Sequence, residues 1–124
     1  MRLSKSVVGD GEIEALTRVI KDGYLGMGTE TMNFELELAE FIGIPKTSVC
    51  AVSTGTSALH LVCEYLFNPG DEVLVPSITY VASYQAISAS GAVPVSVDIN
   101  KSDGLICIQD ARRKITDRTI GLMY

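Results

Sequence analysis

Residues 72–97 read EVLVPSITYVASYQAISASGAVPVSV, and this stretch decides the fold. Glu72-Val73-Leu74-Val75-Pro76 is short, apolar and partly β-branched, and so is Val93-Pro94-Val95-Ser96-Val97. Between them, residues 79–90 are mostly small and fit a helix, which Gly91 stops. Strands that are apolar at nearly every position suit burial on both faces, and a helical crossover joins parallel neighbours. The stretch therefore predicts one strand–helix–strand unit of a mainly parallel sheet flanked by helices, an α/β fold.

The alternation continues in both directions. Upstream, Val49-Cys50-Ala51-Val52 reads as another strand, Ser53-Thr54-Gly55-Thr56-Ser57 as a small polar turn, and residues 58–67 as a helix ended by Asn68-Pro69-Gly70. Downstream, Asp98 and a loop through Asp103-Gly104 lead to a short helix over residues 108–115 and a fourth strand over residues 119–124. A helical segment, about residues 8–43, precedes all of this. Asp10 caps its first helix, Ile13, Leu16, Val19 and Ile20 share one face, and Gly23 stops it. After the loop Tyr24-Leu25-Gly26-Met27-Gly28-Thr29, residues 32–42 carry two periodicities. Phe34-Glu35-Leu36-Glu37-Leu38 alternates like a strand, whereas Leu38, Phe41 and Ile42 have helical spacing. Glu and Leu are good helix formers and Gly43 supplies a stop, so a helix is expected.

The composition bounds the function. The chain has 124 residues, 10 basic and 15 acidic side chains, a net charge of −5 and 47% hydrophobic residues. These values describe one folded domain and exclude a disordered chain. The longest basic run is Arg112-Arg113-Lys114, and the acidic balance argues against nucleic acid as a partner. No apolar run approaches the ~20 residues that cross a bilayer, and no apolar core of a signal peptide follows Met1-Arg2-Leu3-Ser4-Lys5. No membrane partner and a cytoplasmic location are expected. Cys50, Cys63 and Cys107 lack CxxC spacing and are expected to be reduced and mostly buried. One histidine and scattered Cys and Asp give no metal-ligand spacing, so no metal is expected.

Ligands of parallel α/β sheets bind beyond the carboxyl ends of the strands. The most informative loop there is residues 53–57. It opens a helix, whose first N–H groups lack intrahelical partners and carry a partial positive charge. Gly55 permits close approach, and Thr54, Thr56 and Ser57 add hydroxyls. The loop reads either as a phosphate cradle or as an ordinary helix cap. Neither GxxxxGK nor GxGxxG occurs, which removes support for nucleoside triphosphate and dinucleotide readings. Tyr80, at the start of the next helix, would stack on a flat heterocycle or be a half-buried tyrosine whose hydroxyl reaches a neighbour. Asp98 reads as a turn residue or as an orienting group. His60 reads as a general base or a structural residue, with no partners for a Ser-His-Asp or Cys-His arrangement.

Taken in order, three segments resemble the DegT/DnrJ/EryC1/StrS sugar aminotransferases, enzymes dependent on pyridoxal 5'-phosphate (PLP). They are residues 53–61 (STGTSALHL), 70–83 (GDEVLVPSITYVAS) and 91–99 (GAVPVSVDI). The loop Gly26-x-Gly28, followed by Phe34-Glu35 and Phe41-Ile42-Gly43, is similar to the family's N-terminal region. The resemblance covers essentially the whole chain. It implies the large domain of the fold type I, aspartate aminotransferase-like architecture, with residues 1–124 as its N-terminal portion and the C-terminal remainder absent. It further implies that Gly55, Thr56 and Ser57 hold the PLP phosphate, that Tyr80 stacks on the pyridine ring, and that Tyr24, Gly26 and Gly28 lie near the nucleotide-sugar pocket.

The family's Schiff-base lysine and the acid that pairs with the pyridine nitrogen come beyond Tyr124. Lys5, Lys21, Lys46, Lys101 and Lys114 do not match that position. No catalytic residue is therefore assigned, and transamination by this chain alone is not expected. The apolar ending Thr119-Ile120-Gly121-Leu122-Met123-Tyr124 is read as a truncation. The resemblance implies, for the whole enzyme, an amino-acid donor, a keto sugar on a nucleotide carrier and a homodimer. Two other readings stay open: a deoxysugar dehydratase of the same fold, with histidine in place of the lysine, and a non-catalytic remnant or binding module.

Overall fold

The computed structural model describes residues 4–124. The chain divides after Ala51 into two compact units.

The first unit holds α1 (Asp10–Asp22), α2 (Thr29–Ile42) and a 3-10 turn at Lys46–Ser48. The cap of α1 is Gly9 and not Asp10. The Glu12 carboxylate accepts the Gly9 N–H at 2.7 Å, and Asp10 becomes the first helical residue. There its charge favours the positive end of the helix dipole. Gly43, at φ 78°, ends α2 in the left-handed conformation that a Cβ would oppose, and its N–H reaches the Ala39 and Glu40 carbonyls. The two-period segment is helical throughout and starts earlier than its periodicity indicates, at Thr29. Ala39 is the only buried residue of α1 and α2. Glu35 accepts the Ala51 N–H at 2.7 Å, which ties the end of the unit back to α2.

The second unit contains α3 (Gly55–Leu66), β1 (Glu72–Pro76), α4 (Val81–Ala89), β2 (Val93–Val97), α5 (Ile108–Lys114) and β3 (Thr119–Leu122). The sheet order is β2-β1-β3, and both pairs are parallel. Glu72 lies opposite Val93 and Pro76 opposite Val97. The expected parallel sheet flanked by helices is thus present. The central strand uses both faces, as the side-chain period of two requires. Val73 and Val75 pack with Cys63, Ala86, Ile87 and Ala92, whereas Leu74 packs with Val97 and Ala111.

Several expectations need correction. The segment 49–52 forms no strand; Val49 is extended (φ −115°, ψ 132°), but no strand among the described residues pairs with the segment. β-branched residues favour extension, yet a strand needs a ladder to bind its N–H and C=O groups. Burial on both faces holds for β1 and not for β2, an edge strand in which only Val97 is fully buried. α3 starts at Gly55, so Gly55, Thr56 and Ser57 form the first turn of the helix rather than a separate loop. Cys63 is buried, but Cys50 is exposed and Cys107 intermediate. None of the described helices is long and apolar enough to cross a membrane.

Two buried carboxylates fasten the sheet. Glu72 accepts hydrogen bonds from the hydroxyl of Thr116 at 2.6 Å and from the Arg118 guanidinium, beside the irregular register between β1 and β3. Asp110 accepts from the Asp98 N–H at 2.8 Å, from Arg113 at 3.0 Å and from Lys114 at 2.9 Å. These bonds hold both carboxyls below their ordinary pKa, Glu72 chiefly through Thr116 and Asp110, at about 2, chiefly through Asp98 N–H.

Candidate functional site

The start of α3 is built by Thr54. Its backbone is extended (φ −150°), and its side-chain oxygen accepts the Ser57 N–H at 3.1 Å. Its carbonyl accepts the Ala58 N–H at 3.1 Å. The N–H groups of Gly55 and Thr56 come first in the helix, where no intrahelical carbonyl can reach them. A Cβ built at Gly55 meets no atom within 4 Å, so the backbone there is open to an approaching group. Thr54, Thr56 and Ser57 line a shallow hollow of about 190 Å³ with His60, Gln85, Ala86 and Ala89. No carboxylate lines it. Free N–H donors, hydroxyls, a positive helix end and the absence of lining acids make an environment suited to an anion.

The sequence-derived residues divide. Thr56 and Ser57 line the hollow, and Gly55 lies between Thr54 and Thr56, which both do. Tyr80 is the N-cap residue of α4, is 78% exposed and does not line the hollow. The tyrosine whose hydroxyl reaches a neighbour is Tyr84, which donates to the Pro76 carbonyl at 3.2 Å. His60 pairs with Glu64 one turn along α3, Nε2 to Oε1 at 3.1 Å. Asp98 works through its backbone: its N–H goes to Asp110 and its carbonyl accepts the Cys107 N–H at 2.8 Å. Gln85, Ala86 and Ala89 were not singled out from the sequence. Small residues on a helix carry no chemical signature, and only the packing of α4 against α3 brings them to the hollow.

A second hollow, about 480 Å³, lies in the first unit. Tyr24, Gly26 and Gly28 line it together, with Asp22, Thr29 and Glu30 among their neighbours. The Tyr24 ring rests on the glycine backbone. A Cβ at Gly28 would come within 2.8 Å of its Cδ1, and one at Gly26 within 3.7 Å of its Cζ. The rest of the ring stays accessible, and the residue is 65% exposed. Among the described residues, no group of three or more His, Cys, Asp or Glu has the geometry to hold a metal ion.

A parallel α/β sheet preceded by a hydroxyl-rich helix start is an architecture that solved aminotransferases share. That of Streptoalloteichus hindustanus is 36% identical, with a TM-score of 0.82 over 94% of this chain and 32% of its own. A candidate sugar aminotransferase of Streptococcus pneumoniae, solved in its PLP form, is 32% identical, with a TM-score of 0.87 over 98% of this chain and 31% of its own. The chain belongs to the DegT/DnrJ/EryC1/StrS aminotransferase family, which it matches over residues 7–124. Among curated relatives, the dTDP-4-dehydro-2,3,6-trideoxy-D-glucose 4-aminotransferase of Saccharopolyspora spinosa is 35% identical over 96% of this chain and 31% of its own length. The GDP-perosamine synthase of Vibrio cholerae is 42% identical over 73% of this chain and 24% of its own. The chain thus spans about a third or less of the relatives it matches, and PLP is the coenzyme of this family.

Proposed function

We propose that residues 1–124 are the N-terminal portion of the PLP-binding large domain of an aminotransferase that acts on a nucleotide-linked keto sugar. The observation that carries this is the start of α3, where the Gly55 and Thr56 N–H groups open beside a hollow free of lining carboxylates. Gly55, Thr56 and Ser57 hold the coenzyme phosphate, and Tyr80, exposed at the start of α4, packs against its ring. Bound PLP supplies an electron sink for moving an amino group. The chain's own contribution is to fix the phosphate with dipole, N–H and hydroxyl groups that need no rearrangement. None of its five lysines lines the hollow, and Lys114 is engaged with the Ser96 carbonyl at 2.7 Å and with Asp110. The chain alone therefore has no lysine placed for the covalent link, its hold on the coenzyme is weaker than the complete enzyme's, and it does not turn over. The complete enzyme takes its amino group from an amino acid, works in the cytoplasm and is a homodimer. Tyr24, Gly26 and Gly28 contact the nucleotide sugar.

Pyridoxamine phosphate tests the reading, because it lacks the aldehyde that labels surface lysines. Its addition to the 15N-labelled chain is expected to shift the Gly55 and Thr56 amides saturably, while pyridoxamine, without the phosphate, leaves them in place. Equal responses to both compounds, or to neither, overturn the phosphate assignment.

A further inference from the structure

The hollow at the start of α3 is lined by one group that changes its charge near neutral pH, the imidazole of His60. The other lining residues are threonine, serine, glutamine and alanine, so His60 is the one side chain there that can become a cation. Its Nε2 lies 3.1 Å from Glu64 Oε1. A carboxylate only accepts, so the Nε2 hydrogen faces Glu64, and Nδ1 is the nitrogen left for the hollow. Among the described residues, Nδ1 has no hydrogen-bond partner. Glu64 does not line the hollow, so the pair presents its imidazole to the cavity and keeps its carboxylate out of the lining. The packed neighbours bring no competing charge. α4 carries no charged residue, and its Tyr84 hydroxyl donates to the Pro76 carbonyl. On α3 itself, burial pushes the Cys63 thiol up, which keeps it neutral, and Tyr65 is exposed. In β1, Glu72 is engaged by Thr116 and Arg118.

A neutral imidazole with its hydrogen on Nε2 offers Nδ1 as an acceptor, which opposes the acceptor oxygens of a phosphate. The protonated ring offers an N–H donor and a positive charge instead. We infer that anion binding at the start of α3 is coupled to protonation of His60, so that the site holds its anion more tightly below neutral pH than above it. The proton comes from solvent, and no bond of the ligand changes. By linkage, a bound anion draws a proton onto the ring to the same extent that the proton tightens the anion. This rests on the phosphate reading above and adds its regulation by pH. The role differs from that of a general base, because the ring keeps its proton while the anion is bound.

Sulfate is the first probe, because its charge is fixed across this pH range whereas a phosphate ester titrates near pH 6. Its affinity is read from the Gly55 and Thr56 amides of the 15N-labelled chain at about pH 5.5 and about pH 7.5, on either side of the ordinary imidazole range. The wild type is expected to bind at least about threefold tighter at the lower pH, and His60→Gln is expected to bind equally at both. Far-UV circular dichroism verifies that the variant is folded. Equal wild-type affinities, the same ratio in His60→Gln, or no sulfate binding at either pH overturns the inference. The chain has one histidine, so its Cε1–H resonance reports protonation without ambiguity. At about pH 7, near the ordinary imidazole midpoint, sulfate and pyridoxamine phosphate should each move that resonance towards its acid position, and pyridoxamine should not. Pyridoxamine phosphate bound at the amides with the histidine resonance unmoved overturns the inference and leaves the coenzyme reading standing. Proton-coupled sulfate binding without any response to pyridoxamine phosphate overturns the coenzyme reading and supports the coupling.

Discussion

Asp110 is 5% exposed, yet it keeps its charge because an N–H, a guanidinium and an ammonium all donate to it. The pKa of its carboxyl falls from an ordinary 3.8 to about 2, first through the Asp98 N–H and then through Lys114 and Arg113. A carboxyl with a depressed folded pKa stabilises the fold at pH above its unfolded value. That contribution is lost as pH falls from about 4 towards 2, because the unfolded chain takes up the proton first. Glu72 acts in the same direction. Urea midpoints measured between pH 5 and pH 2 should therefore fall for the wild type and fall less steeply for Asp110→Asn. Equal slopes would remove Asp110 from the acid response. At the candidate site, Gly55→Ala separates binding from folding. The added methyl meets no protein atom within 4 Å, so stability should change by less than about 0.5 kcal/mol. On the proposed reading the same methyl would stand in the path of the phosphate, and pyridoxamine phosphate affinity should drop at least tenfold, measured by amide shifts.

At the scale of elements, the parts legible in the sequence are those whose signals are local. β1 and β2 fall where their apolar runs place them, and α2 and α1 end at Gly43 and Gly23. The start of α3 at residues 54–57 was legible as a helix start because an N-cap threonine and a glycine mark one by themselves. What stayed illegible depends on partners. The segment 49–52 has strand composition and no ladder, Tyr84 rather than Tyr80 is the half-buried tyrosine whose hydroxyl reaches a neighbour, Glu72 gains its role from Thr116 and Arg118, 44 and 46 positions away, and Asp110 gains its chief one from the Asp98 N–H, 12 positions away. Thr54→Ala removes the side-chain acceptor of Ser57 N–H and should cost about 1 kcal/mol in chemical denaturation. Gly121 in β3 is closed to a side chain, since a Cβ there would lie 2.9 Å from the Phe67 ring. Gly121→Ala should destabilise by about 1–3 kcal/mol through overpacking, whereas no loss would mean that β3 shifts freely against β1.

The whole molecule distributes its core unevenly. In the first unit, α1 buries no residue although Ile13, Leu16 and Ile20 lie along it, and α2 buries only Ala39. In the second unit, Val73, Val75, Ile87 and Val97 are fully buried around a hydrogen-bonded central strand. Buried apolar contacts set the free energy of local opening, so the two units should exchange their amide hydrogens at different rates. An isolated helix of 13 residues is marginal in water, and α1 gains little from tertiary burial that would stabilise it. Hydrogen exchange followed by mass spectrometry should therefore show the α1 amides exchanging at least a hundredfold faster than those of Val73–Val75. Raising the protein concentration provides the control. If the α1 amides are as slow as those of β1, and become faster on dilution, a second copy of the chain covers the apolar face in solution. Equal protection at every dilution would show instead that α1 is held by packing within its own chain, and would overturn the expected difference between the two units.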